Sequence, residues 1–208
     1  MTVYRSVGKR SLDVFGAVIA LPALGIAVAV VAPLVLLSDR GPVFYRSRRR
    51  GRDGTHFTML KFRSMTPGAP DLRNADLSTV NSDSDARVTR LGRILRKTSV
   101  DELPQIINVL KGDMSFVGPR PNMTRQSWDE LSDVERKRIR VRPGITGLSQ
   151  ALHRNSASTR LKYRLDGLYV DRVSLGLDAT VLVKTFTSVF AGKNINAAPN
   201  SREKAGRA

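Results

Sequence analysis

From Val14 to Leu37 the chain carries no charged residue over 24 positions, and most of these are Val, Ala, Leu or Ile. At 1.5 Å per residue a helix of that length reaches across a hydrocarbon layer of about 30 Å, so everything else must fold around a segment that prefers lipid to water. Three forms meet that description. A secretory leader would use Lys9 and Arg10 as its basic end and Ala27-Val28-Ala29 as its cleavage site, but the apolar run continues to Leu37. A plain transmembrane helix is the ordinary form of such a run. The flanks favour a third form, a re-entrant hairpin. Arg5, Lys9 and Arg10 precede the run, while Arg40, Arg46, Arg48, Arg49, Arg50 and Arg52 follow it. Basic flanks tend to stay cytoplasmic, and a straight span cannot keep both there. Pro22 offers the break, since it removes a backbone hydrogen bond and crowds the preceding turn; Pro33 is a second candidate.

The second constraint lies at residues 96–121, where the adjacent carboxylates Asp101 and Glu102 stand between Arg93, Arg96 and Lys97 on one side and Arg120 on the other. Ser99 and Glu102 have the spacing of a capping box, Leu103–Leu110 reads as a helix, and Gly112 reads as its stop. Both acids are then expected in a first helical turn, where free N–H groups and the dipole suit a phosphate or a metal-bound diphosphate. Acids in a first turn also simply stabilise a helix start, by about 0.3–1 kcal/mol. The basic residues before the pair, and Gly118-Pro119-Arg120-Pro121 after it, argue for more. Helical neighbours point about 100° apart and cannot flank a glycosidic bond. They can divide labour at one phosphate, one carboxylate attacking while the other holds a cation.

Around these two segments the chain reads as one domain. Residues 41–65 form a strand, an Asp53-Gly54 turn and a second strand, with Lys61 and Arg63 on one face of it as a pair of cations suited to phosphate. Arg46 to Arg52 would lie beside an anionic membrane surface or form a solvated face. Residues 66–90, rich in Pro, Gly, Asp, Asn, Ser and Thr, read as a long surface excursion with Asp83 and Asp85 solvated. Leu91, Ile94 and Leu95 have helical spacing. Residues 124–141 read as a charged helix with Trp128 packing or anchoring at an interface, and its basic run Arg136, Lys137, Arg138, Arg140 and Arg142 facing headgroups or solvent. A lone His153 is more often incidental than catalytic. Residues 175–190 suit a helix against the core or in the interface, and the tail from Gly192 has no packing signal.

The net charge of +17 and a pI near 11.2 call for an anionic partner. The absence of cysteine excludes a disulfide framework or a thiolate metal site. A membrane-tethered, non-catalytic basic protein that binds nucleic acid or anionic lipid accounts for the charge. It gives no reason for Asp-Glu beside Gly-Pro-Arg-Pro.

Three groups of residues, in order along the chain, carry a resemblance. They are Lys61-Phe62-Arg63-Ser64-Met65; Asp101-Glu102-Leu103-Pro104-Gln105 with Asn108-Val109-Leu110-Lys111-Gly112-Asp113-Met114-Ser115 and Val117-Gly118-Pro119-Arg120-Pro121; and Arg142-Pro143-Gly144-Ile145-Thr146-Gly147-Leu148. They resemble the bacterial sugar transferases, the monotopic polyprenyl-phosphate phosphoglycosyl transferases in their minimal-length form. The resemblance implies an α/β, mostly helical, small membrane-associated domain. Its parts would be a re-entrant membrane helix hairpin over 1–40, a catalytic domain with a short β-hairpin over 41–190, and a disordered tail over 191–208. It implies transfer of a sugar 1-phosphate from a UDP-sugar to undecaprenyl phosphate with release of UMP, at the cytoplasmic face of the bacterial inner membrane. By motif position Asp101 is the nucleophile and Glu102 the Mg²⁺ ligand. Arg96 and Arg120 neutralise phosphate oxygens, Lys61 and Arg63 lie close by, and Arg154 contacts phosphate. Anionic lipid is an expected partner and nucleic acid is not; a homodimer is left open. Two departures stand out: Leu21-Pro22 where the family has Ser-Pro, and Leu152-His153, with His153 where Gly is expected beside Gln150, Arg154 and Asn155.

Overall fold

The apolar run is helical throughout. In the computed structural model, which describes residues 3–70, 72, 85–122, 124, 127–153 and 157–190, a π-helical turn at Tyr4–Gly8 leads into α1, Lys9–Asp39. These 31 residues extend about 47 Å if straight. Ala17, Leu24, Val31 and Val35 are buried at intervals of seven, seven and four residues, which is one stripe of a helix. Phe15, Ile19, Ile26, Val30 and Leu37 face outward. Pro22 and Pro33 both lie inside α1, whose helical assignment continues across them. Proline removes one bond of the ladder, and the stripe packs against the domain on both sides of it, holding the backbone helical.

The strands β1 (Phe44–Arg50) and β2 (His56–Phe62) form the expected antiparallel hairpin, in register from Phe44 opposite Phe62 to Arg50 opposite His56. Asp53 (φ 53°) and Gly54 (φ 82°) take the left-handed turn that their dipeptide promised. Trp128 packs on that turn: a Cβ at Gly54 would stand 2.7 Å from its ring.

The helix α2 (Arg90–Thr98) is capped by Thr89 and is followed by a 3-10 turn, Val100–Glu102, and then by α3, Gln105–Lys111. The capping box expected at Ser99 does not form. Ser99 has φ 59°, closes α2 with its N–H on the Arg96 carbonyl, and its hydroxyl caps nothing. An N-cap needs extended backbone, whereas a left-handed residue ends a helix. Asp101 and Glu102 therefore sit on the 3-10 turn ahead of α3. Gly112 (φ 90°) stops α3 as expected.

A parallel pair, β3 (Ser115–Val117) and β4 (Gly144–Thr146), escaped the sequence reading. Three-residue strands carry no readable alternation. Glycines let their backbones meet: a Cβ on Gly118 would stand 2.4 Å from the Arg142 carbonyl oxygen. The helix read over 124–141 is reduced to α4, Asp133–Arg138, because Ser132 and Glu135 form a capping box at its start. The helices α5 (Leu148–His153), α6 (Thr159–Arg172) and α7 (Leu175–Phe190) complete the chain. Val117, Leu148, Tyr169, Val173 and Val181 pack together beneath them.

Two further expectations are corrected. Asp85 is not simply solvated, since it accepts hydrogen bonds from Arg87 Nε at 2.9 Å and Nη2 at 2.7 Å. The basic run after residue 135 does not all face outward: Arg138 is buried against Asp166, and Arg142 donates to the Gly112 carbonyl at 2.8 Å. Asp83, Arg154, Asn155 and the tail beyond residue 190 lie outside the described residues.

Candidate active site

One buried amide fixes how the segment carrying Asp101 and Glu102 meets the hairpin. Asn108, on α3, accepts from the Leu60 N–H at 3.0 Å and donates to the Thr58 carbonyl at 2.8 Å and to Asp113 Oδ2 at 3.2 Å. It thus pairs with the free edge of β2 as a strand would. With Leu60 held there, its neighbour Lys61 reaches the 3-10 turn. Lys61 Nζ bonds Glu102 Oε1 directly and lies 3.9 Å from Asp101 Oδ2. From the opposite side, both terminal nitrogens of the half-exposed Arg120 approach the same Oε1 at 3.4 Å. Glu102 Oε2 is left without a partner among the described residues.

The two neighbours differ in how firmly they are ionised. Burial pushes the Asp101 carboxyl up, Lys61 opposes this and Glu102 reinforces it, and the result is a pKa of about 6. Burial acts the same way on Glu102, but Lys61 and Arg120 outweigh it and hold that carboxyl down at about 2. Among the described residues no group donates a hydrogen bond to the Asp101 side chain, although it is buried. A carboxylate that is desolvated, accepts no hydrogen bond and is still ionised at neutral pH has the chemistry a nucleophile needs. Its neighbour, firmly ionised with one oxygen open, suits a hard cation. No cluster of three acidic or histidine side chains occurs among the described residues, so such a cation would draw its other ligands from substrate oxygens and water.

Of the cations expected here, Lys61 and Arg120 reach the carboxylates. Arg96 lies on the Asp101 side, with Nε on Ser64 Oγ at 2.9 Å. Arg63 is not brought to them. It follows the last residue of β2, where alternation no longer governs direction, and its guanidinium holds both Asp39 oxygens and the Pro42 carbonyl. The run Lys61–Ser64 thus divides its work: Lys61 serves the acids, Phe62 stacks on Phe44, Arg63 fastens the end of α1, and Ser64 seats α2 against Gly92. Arg93 and Lys97 face solvent, and His153 ends α5 at the surface.

Sequence reasoning missed what braces this arrangement. Arg138 donates to Asp166 through Nε at 2.9 Å, to Asn122 Oδ1 at 2.7 Å and to the Arg120 carbonyl at 3.3 Å, so a buried ion pair holds the Gly-Pro-Arg-Pro turn. Arg10, near the start of α1, donates to the Val109 and Leu110 carbonyls at 2.6 and 2.9 Å and closes the end of α3. Asp13 accepts from Ser115 Oγ and the Phe116 N–H, both at 3.0 Å. Charged residues at either end of α1 were visible as flanks, yet nothing local showed that they point into the domain.

A family model described as bacterial sugar transferase matches residues 4–192. The chain is 38% identical over 189 residues to a UDP-N-acetylgalactosamine-undecaprenyl-phosphate N-acetylgalactosaminephosphotransferase of Aeromonas hydrophila, covering 88% of this chain and 44% of that protein. It is 40% identical over 199 residues to a UDP-glucose:undecaprenyl-phosphate glucose-1-phosphate transferase of Xanthomonas campestris pv. campestris, covering 91% and 40%. An uncharacterized sugar transferase, EpsL, of Bacillus subtilis (strain 168) is 37% identical over 187 residues, with 90% and 89% covered. The chain therefore spans less than half the length of the first two relatives and most of the third.

Proposed function

As the chain belongs to the bacterial sugar transferase family, we propose that it moves a sugar 1-phosphate from a UDP-sugar to undecaprenyl phosphate, releasing UMP and starting a surface polysaccharide or glycoconjugate. Asp101 carries this reading, as a buried carboxylate with no hydrogen-bond donor among the described residues, beside Lys61 and an ionised Glu102. In the first step an Asp101 oxygen bonds to the β-phosphorus while the bond from that phosphorus to the bridging oxygen breaks, and UMP leaves with the electron pair. In the second, an oxygen of the lipid phosphate bonds to the same phosphorus, the aspartyl–phosphorus bond breaks, and the carboxylate is restored. Two easier displacements replace one. Lys61, Arg96 and Arg120 offset the charge of the diphosphate, Arg120 from a loop braced by Arg138.

Glu102 Oε2 is the open oxygen for Mg²⁺, and Mg²⁺ bound there would polarise the phosphoryl oxygens. Arg120 and Lys61 keep Glu102 ionised for that purpose.

The same reading puts the chain at the cytoplasmic face with α1 in one leaflet. Arg10 and Asp13 hold one end of α1 to the domain and Arg63 holds the other, so both ends belong on the domain's side of the bilayer. That favours entry and exit by the same leaflet over a crossing, with the outward residues Phe15, Ile19, Ile26 and Val30 in lipid.

The test is UMP release from a panel of UDP-sugars, with and without polyprenyl phosphate. Release that needs the lipid for sustained turnover supports the transferase. A chain that instead binds nucleic acid with a steep salt dependence, and turns over no nucleotide sugar, belongs to the competing class of basic tethers.

A further inference from the structure

Between Glu102 and Asn108 the catalytic segment leaves one buried group unused. The 3-10 turn runs into α3 without leaving the helical region, as Leu103 and Pro104 keep right-handed dihedrals. Its backbone bonds are three residues apart, from Leu103 N–H to Val100 and from Ile106 N–H to Leu103. Residues three apart then stand over one another. Glu102 and Gln105 flank this junction three residues apart, with Asn108 further along α3, and both outer members address β2, through Lys61 in one case and through Leu60 and Thr58 in the other. Gln105 stands between them, 2% exposed, and its Nε2 has no acceptor among the described residues. Native folds retain few buried donors without a partner. Here the gap lies one turn from Glu102, which Lys61 and Arg120 both contact.

We infer that Gln105 is a further catalytic residue, whose side-chain amide donates to a non-bridging oxygen of the phosphoryl group as it passes to and from Asp101. The inference rests on the transferase reading. A neutral donor suits this role, since it adds no charge to hold a bound diphosphate more tightly and strengthens as the equatorial oxygens gain charge in transfer. Its loss therefore falls on the rate of transfer more than on donor binding.

The experiment uses the full chain in lipid nanodiscs, with undecaprenyl phosphate and whichever UDP-sugar the native protein turns over. Gln105→Met keeps length and removes the donor; Gln105→Asn keeps an amide on a shorter arm. Expected for Gln105→Met is a fall in kcat of about 10²-fold with KM within threefold of native, with Gln105→Asn between the two. The two β-phosphorothioate diastereomers of the UDP-sugar supply a readout that misfolding does not imitate. The native protein discriminates between them, and Gln105→Met loses much of that preference because sulfur is a poor acceptor for the missing amide. A Gln105→Met protein with kcat within threefold of native overturns the inference, and so does a slow one whose diastereomer preference is unchanged. A native chain inactive on every UDP-sugar takes down the transferase reading as well, whereas an active native chain with an indifferent Gln105 sinks only this inference.

Discussion

Removing the positive charge beside Asp101, with Lys61→Met, should change the pH at which the protein works as well as its rate. Lys61 Nζ stands 3.9 Å from Asp101 Oδ2, with side chains 13% and 10% exposed, so the pair is well shielded from solvent. At an effective dielectric constant of about 20, two unit charges at that distance interact by about 4 kcal/mol, or about three pKa units. Asp101 titrates at about 6 with Lys61 in place. Without it, the carboxyl would rise well above that value, so that at pH 7.5 much of it would be protonated. Glu102 loses its bond to Lys61 in the same step, and the two acids would then titrate as a pair. The assay is the initial rate of UMP release between pH 5 and 10. For the native protein the acid limb should fall near pH 6; for Lys61→Met it should move at least one unit alkaline, with much of the lost rate regained by pH 9.5. A variant that is slow at every pH, with its acid limb still near 6, would refute the idea that Lys61 keeps the nucleophile ionised.

Other outcomes follow from the same geometry. Burial gives folded Asp101 a pKa above its ordinary 3.8, so the stability it brings is whole below that value and is lost as pH rises through about 6. Asp101→Asn removes that loss and should be more stable than native by about 1–3 kcal/mol at pH 7.5, with thermal melts converging near pH 4. Asn108→Ala breaks three hydrogen bonds between α3 and its neighbours and should cost about 3 kcal/mol, lowering Tm by about 6–12 °C in scanning fluorimetry. For Glu102→Gln a large loss of UMP release is expected that excess Mg²⁺ repairs little; unchanged activity would remove the metal from that side chain.

Legibility followed the range of the interactions. The apolar run, the Asp-Gly hairpin and the Gly112 stop are local signals, and each produced its element. The capping box at Ser99 failed because the residue had a second use, ending α2, and a four-residue pattern cannot tell which helix claims it. Lys61 and Arg63 looked equivalent by alternation until the strand ended between them. Asn108, Arg138 and Arg10 owe their roles to contacts across more than fifteen residues, which no local pattern encodes. The same holds for the parallel pair β3 and β4, whose glycines signal close approach without naming the partner. Asp101 and Glu102 stood out as a candidate site because two like charges side by side among arginines are costly unless something anionic or metallic arrives to use them. That they titrate so far apart depends on the hydrogen bonds that Lys61 and Arg120 give to Glu102 and not to Asp101, and these are products of the fold.

The most direct test is to incubate the full chain with its UDP-sugar and Mg²⁺ in the absence of lipid acceptor, quench in acid, and weigh the intact protein. Native protein should gain the mass of one sugar phosphate, with the adduct on the peptide holding Asp101, discharged by later addition of undecaprenyl phosphate; Asp101→Asn should gain none. An adduct of the same mass on Asp101→Asn, or turnover of native protein with no adduct at any time, would contradict a covalent role for this carboxylate.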